Sequence, residues 1–203
     1  MKISRRQFIT GTAVTVAGAM VAERAYDHFS ESTVRAKVVI VGGGAGGMTV
    51  AARLCDRLRH PDITVIEPND LHDYQPGYTL VAADVFTPEE IRRPMKDLMP
   101  RYVKWVKDSV EELHPESNEV VTRANGTVSY DFLVLAPGCE LDFEHVEGIS
   151  MDTLGEGDAH CVYTREGAIK CREAMRALLE RKEGRLLFTD TYSKVKCGGV
   201  PKK

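Results

Sequence analysis

Lys37-Val38-Val39-Ile40-Val41-Gly42-Gly43-Gly44-Ala45-Gly46-Gly47 decides the fold. A largely β-branched run has the composition of a buried parallel strand, and the glycines that follow it without a spacer make a tight turn. A helix is predicted from Met48 to Leu58, with Met48, Ala51, Ala52 and Cys55 at helical spacing and Arg53, Arg57 and Arg59 left to solvent. Gly42, Gly44 and Gly47 fit G-x-G-x-x-G. The first glycine permits the turn, the second lets backbone approach a pyrophosphate, and the third lets helix and strand pack closely. Phosphates lying over Gly44 and Ala45 would meet free N–H groups and the positive end of the helix.

Moving outward, Ile63-Thr64-Val65-Ile66-Glu67 reads as a second strand ending in an acid twenty positions beyond Gly47. A carboxylate there can accept both hydroxyls of a ribose. Strand, turn, helix and acid thus agree on a dinucleotide site, and the turn alone does not choose between FAD and NAD. Further on, Val120-Val121-Thr122, Gly126 to Val128 and Tyr130 to Gly138 read as a β-meander feeding a buried strand that ends at Pro137-Gly138.

That last run, Tyr130-Asp131-Phe132-Leu133-Val134-Leu135-Ala136-Pro137-Gly138, resembles the second FAD fingerprint of flavoproteins with two dinucleotide-binding domains, with Pro137 where threonine is usual. The resemblance implies that Ala136 and Gly138 pass near bound FAD. Asp73-Tyr74-Gln75-Pro76-Gly77-Tyr78-Thr79-Leu80-Val81 narrows the family, because it resembles the Tyr-Gln-Pro-x-x-Thr-Leu-Val segment of sulfide:quinone oxidoreductases. By that resemblance Tyr74, Gln75 and Pro76 border the flavin. The residues alone justify a rigid aromatic turn whose tyrosines could equally serve packing. Pro94 to Pro100, Trp105, Val110 and the stretch Gly138 to Gly148 continue the likeness, which runs from Val34 to Lys203 and places Val110 among the cofactor contacts.

After Gly148 a helix is expected from Arg165 to Arg181, with Ile169, Met175, Leu178 and Leu179 among its apolar positions, then a strand at Gly184-Arg185-Leu186-Leu187-Phe188-Thr189. A relative that uses NADH would open a second glycine loop here. The chain instead reads Val195-Lys196-Cys197-Gly198-Gly199-Val200-Pro201-Lys202-Lys203, so nicotinamide binding is not expected. Lys196, Lys202 and Lys203 favour the thiolate of Cys197, and two glycines leave it accessible. The loop resembles the Lys-Cys-x-Gly-x-Pro-x-Lys sequence carrying the first redox cysteine of the same family. The resemblance implies that Cys197 is catalytic: sulfide attacks a cysteine disulfide or trisulfide, a persulfide forms, FAD takes two electrons and quinone reoxidises it. In that family the partner cysteine, the rest of the FAD site and the membrane-seating, quinone-binding part come later, so this polypeptide alone is expected to be poorly active or inactive.

Composition points to a small molecule or a protein as the partner. The 203 residues are 43% hydrophobic, enough for a core, and a net charge of -3 offers no basic excess for nucleic acid. Five cysteines, at 55, 139, 161, 171 and 197, lack metal-ligand spacing, so no metal site is expected. At the N-terminus, Ser4-Arg5-Arg6-Gln7-Phe8-Ile9 before an uncharged stretch from Thr10 to Ala22 resembles a twin-arginine export signal. Export to the periplasm or the outer face of the cytoplasmic membrane is therefore expected. Export also keeps open a flavocytochrome c sulfide dehydrogenase, whose electron acceptor is a cytochrome c, and the parts of the family not found in this stretch keep open a non-catalytic FAD-binding remnant.

The expected architecture is α/β. Residues 1–34 form the signal and a linker, 35–148 the first segment of a Rossmann-like FAD-binding domain, built from a parallel sheet with helices and a β-meander, and 149–203 the start of a second Rossmann-like domain carrying Cys197.

Overall fold

The computed structural model describes residues 32–143, 146–150, 152–181 and 183–189. The arginine pair at the N-terminus and the Cys197 loop lie outside the described residues. The described residues divide into two compact units, one built from 32–73 together with Arg92–Asp142, the other from Tyr74–Ile91 and the described residues from Phe143 onward. The segment Tyr74–Ile91, inside the stretch 35–148, thus makes its contacts with the second unit.

In the first unit, strand β1 (Lys37–Val41) leads through the glycine turn into helix α1 (Ala45–Arg57), which returns the chain to β2 (Asp62–Ile66). β1 pairs in parallel with β2, in the register Val38↔Ile63 through Val41↔Ile66, the pairing that a helical crossover between the two strands permits. Side chains alternate between faces. Val38, Ile40, Ile63 and Val65 pack on the helix side against Ala51, with Val50, Leu54 and Cys55 around them. Val39 and Ile66 face the other way. Each fully buried valine or isoleucine here contributes about 1.5–3 kcal/mol of burial free energy. Along α1 the buried face runs through Gly47, Ala51 and Leu54, whereas Ala52, expected on that face, is exposed. A step of one residue from Ala51 turns the side chain about 100° away from the sheet.

A small antiparallel pair, β3 (Leu71–Asp73) with β4 (Arg92–Pro94), and a single helical turn, α3 (Met95–Leu98; α2, Tyr78–Ala82, precedes it in the second unit), lead to β5 (Val103–Val106), which extends the parallel sheet beside β2. The meander follows as β6 (Val110–His114), β7 (Glu119–Thr122) and β8 (Gly126–Ser129), and β9 (Phe132–Leu135) re-enters the sheet beside β1. The parallel sheet has the order β5-β2-β1-β9. The meander covers its second face, where Val120 and Tyr130 pack on Val39 and Ile66. The expectation of a buried last strand needs correction: β9 is an edge of the described sheet, and Phe132 and Leu135 are more than half exposed. With a neighbour on one side only, its terminal side chains lack cover.

Asp108 anchors the meander. Its carboxylate accepts hydrogen bonds from the backbone N–H groups of Ser109, Ala124 and Asn125 and from the Asn125 amide, each at 2.8 Å. The Ala124 N–H, foremost among these, holds the Asp108 carboxyl far below the usual carboxylate range.

In the second unit, a 3-10 turn (Gln75–Gly77) opens helix α2 (Tyr78–Ala82), which packs on helix α4 (Arg165–Arg181). Tyr78, Val81, Ala82 and Ile91 close over Ala168. Arg165 pairs with Glu89, and Arg176 grips Asp84 with two hydrogen bonds at 2.7 and 2.8 Å. The helix spans the predicted residues, but Leu179 is exposed. A five-residue partner reaches only about 7.5 Å along it, so the last turn is left uncovered. The predicted strand at Gly184–Thr189 does not form, and Leu187 and Phe188 are exposed. A strand exists only where a neighbour shares its ladder, and no described strand lies alongside it.

Because the Asp108 pKa is lowered by folding, its contribution is complete above the ordinary carboxyl pKa of about 3.9 and fades as pH falls below that value. Urea denaturation between pH 7 and 3 should show Asp108→Asn less stable than the wild type at pH 7 and losing less stability on acidification.

Candidate dinucleotide site

The turn after β1 hangs between its two neighbouring strands. Gly42 N–H donates to the Ile66 carbonyl at 2.9 Å, and Ala136 N–H donates to the Val41 carbonyl at 2.8 Å. Gly42 has a φ of +99°, and a Cβ there would overlap the Ala136 carbonyl oxygen. Only glycine meets both demands. Gly47 is buried in the first turn of α1 with the Gly42 carbonyl pressed against it, so a side chain would separate helix from strand. Gly44, the residue that caps α1, differs: a Cβ would find nothing within 4 Å.

That opening lies at the start of a thirteen-residue helix with no side-chain cap and no acid in its first turn. The first-turn N–H groups, beginning with Ala45, have no partner within the helix, and the helix dipole adds to their attraction for an anion. An unfilled approach to backbone N–H groups at such a terminus fits a diphosphate.

Glu67 follows β2 directly and is 8% exposed. Its backbone is locked to β5, with its N–H donating to the Val106 carbonyl at 3.0 Å and its carbonyl accepting from Trp105 Nε1 at 2.8 Å. Its Oε2 accepts from Gly43 N–H at 2.8 Å, and its Oε1 accepts from the Asn69 backbone N–H at 2.9 Å and from Asn69 Nδ2 at 2.6 Å. The acid is therefore held at the glycine turn by hydrogen bonds rather than left to swing.

The structure brings Gly42, Gly44, Ala45, Gly47, Glu67 and Ala136 together at the C-terminal ends of β1, β2 and β9. Gly138 sits just beyond β9, exposed, with φ +82°. Val110 instead begins β6 and packs its side chain on the meander-side core. Tyr74, Gln75 and Pro76 belong to the second unit, where Tyr74 N–H donates to the Ile91 carbonyl at 2.8 Å. The two tyrosines of that segment divide the alternatives between them: Tyr78 is core, whereas Tyr74 is 57% exposed. Cys55, Cys139, Cys161 and Cys171 are free thiols, and burial pushes the Cys55 and Cys171 thiols up, away from the reactive thiolate. Cys197 lies outside the described residues.

Sequence reasoning missed Gly43 and Asn69. Gly43 occupies a free position of the motif, yet a Cβ there would lie 2.8 Å from the Glu67 side chain. The one available signal for Asn69 was an amide two residues past the acid, where it can hydrogen-bond backward.

A sequence profile of the pyridine nucleotide-disulphide oxidoreductases matches residues 36–183, and the chain belongs to that family of FAD-binding flavoproteins. Within it, the resemblance to sulfide:quinone oxidoreductases is borne out. The chain is 38% identical over 169 residues to the mitochondrial sulfide:quinone oxidoreductase of Dictyostelium discoideum and 36% identical over 168 residues to that of Mus musculus. Each match takes in 82% of this chain and 36% of the relative, so the chain spans about a third of their length. The solved sulfide:quinone oxidoreductase of Aquifex aeolicus shares the fold, with a TM-score of 0.55 at 23% identity over 72% of this chain and 33% of that one.

The open space at Gly44 and the crowding at Gly47 separate two effects. Gly44→Ala should keep the wild-type circular dichroism and melting temperature while losing FAD in a fluorescence titration. Gly47→Ala should lower the melting temperature as well, because its methyl group must displace the Gly42 carbonyl.

Proposed function

We propose that this chain forms the flavin-binding part of an enzyme that oxidises sulfide and passes the electrons to quinone. The observation that carries this reading is the 38% identity to a sulfide:quinone oxidoreductase over 169 residues. The first unit supplies the hold on FAD: the Gly42–Gly47 turn and the α1 terminus receive the diphosphate, and Glu67 faces the ribose. FAD, when bound, supplies a two-electron acceptor that a quinone can reoxidise.

Cys197 supplies the sulfur chemistry in this reading. Lys196, Lys202 and Lys203 stabilise its thiolate, the form that exchanges with other sulfur atoms. When Cys197 is joined to a second cysteine, HS⁻ attacks one sulfur of the disulfide. The S–S bond breaks, one cysteine becomes a persulfide and the other leaves as a thiolate, with no net oxidation in that exchange. The absence of a second G-x-G-x-x-G in Val195–Lys203 fits sulfide rather than a nicotinamide as the electron source. Export by a twin-arginine route, read from Arg5-Arg6, belongs to the same proposal and suits a protein that must capture its cofactor before crossing a membrane.

The test joins this chain to the downstream part carried by its longer relatives, adds sulfide anaerobically to the FAD-loaded protein while flavin absorbance at ~450 nm is followed, and then adds a soluble ubiquinone analogue. Wild type should bleach and recover colour with quinone, and Cys197→Ser should stay yellow. Equal bleaching of both would remove Cys197 from the reaction. For export, replacing Arg5 and Arg6 with lysine should retain the protein in the cytoplasmic fraction, and an unchanged distribution would refute the signal.

A further inference from the structure

The Glu67 carboxylate has about four acceptor positions, two on each oxygen. Three are used within the protein: Oε1 takes both donors of Asn69, and Oε2 takes the Gly43 N–H. Oε1 is thereby saturated and Oε2 retains one position. A ribose diol brings two O–H donors, one more than this carboxylate can receive as it stands.

The second acceptor is adjacent. A carboxylate only accepts, so the Asn69 amide must turn its nitrogen toward Oε1, and its carbonyl oxygen Oδ1 necessarily points away from Glu67. Asn69 is exposed, and Oδ1 makes no hydrogen bond of its own among the described residues. We propose that the ribose of the dinucleotide is read by a Glu67–Asn69 pair, one hydroxyl donating to Glu67 Oε2 and the other to Asn69 Oδ1. Asn69 then has two tasks, since its two N–H groups also keep the carboxylate from rotating away from the Gly42–Gly47 turn. The proposal rests on the dinucleotide reading of that turn and adds a ligand to it.

Calorimetric titration of the full chain with ADP, 2′-deoxy-ADP and 3′-deoxy-ADP tests the pair without requiring turnover. Wild type should lose about tenfold in affinity on removal of either hydroxyl, the scale of a hydrogen bond to a charged or well-placed acceptor. Asn69→Ala should bind ADP about tenfold more weakly and become indifferent to one hydroxyl while still sensing the other. Asn69→Ser, which returns a smaller acceptor, should recover part of the loss, and it carries the same comparison if the alanine variant does not fold. An Asn69→Ala protein that penalises both deoxy nucleotides as the wild type does overturns the pair and leaves the dinucleotide site standing. A wild type that binds no ADP overturns the dinucleotide reading and the pair together, whereas one that binds ADP but ignores both hydroxyls overturns the pair alone.

Discussion

The contact between Gly47 and the carbonyl of Gly42 is the constraint on which the first unit depends. It brings the first turn of α1 directly against the end of β1, closer than any side chain would allow. Two consequences follow from that one approach. The buried face of α1, through Ala51 and Leu54, is brought down on Val38, Ile40 and Val65, which closes the core on that side. The free N–H groups of the helix are aimed over the C-terminal ends of the strands, where a parallel sheet presents its ligand.

The acid opposite that terminus is fixed as firmly as the turn. Trp105 and Val106 of β5 hold the backbone of Glu67, while Gly43 and Asn69 hold its carboxylate. A buried carboxylate without such donors would be costly, since burial without compensating hydrogen bonds disfavours charge. The same economy of donors appears at Asp108, where four N–H groups secure the meander that covers the opposite face of the sheet. In both places an acid with little exposure is tied to backbone N–H groups from separate segments of the chain.

Much of this was legible before the fold. The run Lys37–Val41 is the predicted strand, Gly42 and Gly47 serve the tight turn and the close helix–strand packing that their spacing implies, and helix α4 covers Arg165–Arg181 as expected. These signals are local: β-branching, glycine spacing and helical periodicity act within a few residues. The less accurate readings share a different cause. Ala52 and Leu179 are apolar residues at helical positions that no neighbouring element covers, β9 has a partner on one side, and Gly184–Thr189 has the composition of a strand without a described partner.

The sequence by itself determined the α/β class, the dinucleotide turn and the flavoprotein family, because each is written in contiguous residues whose chemistry is short-ranged. Tertiary structure alone decided that Gly43 and Asn69 complete the Glu67 site and that Trp105 secures it from a strand 38 positions away. It also decided that Tyr78 is core while Tyr74 faces solvent. Those outcomes depend on which segments meet, and a hydrogen bond or a buried ring exists only after the chain has brought its partner within reach.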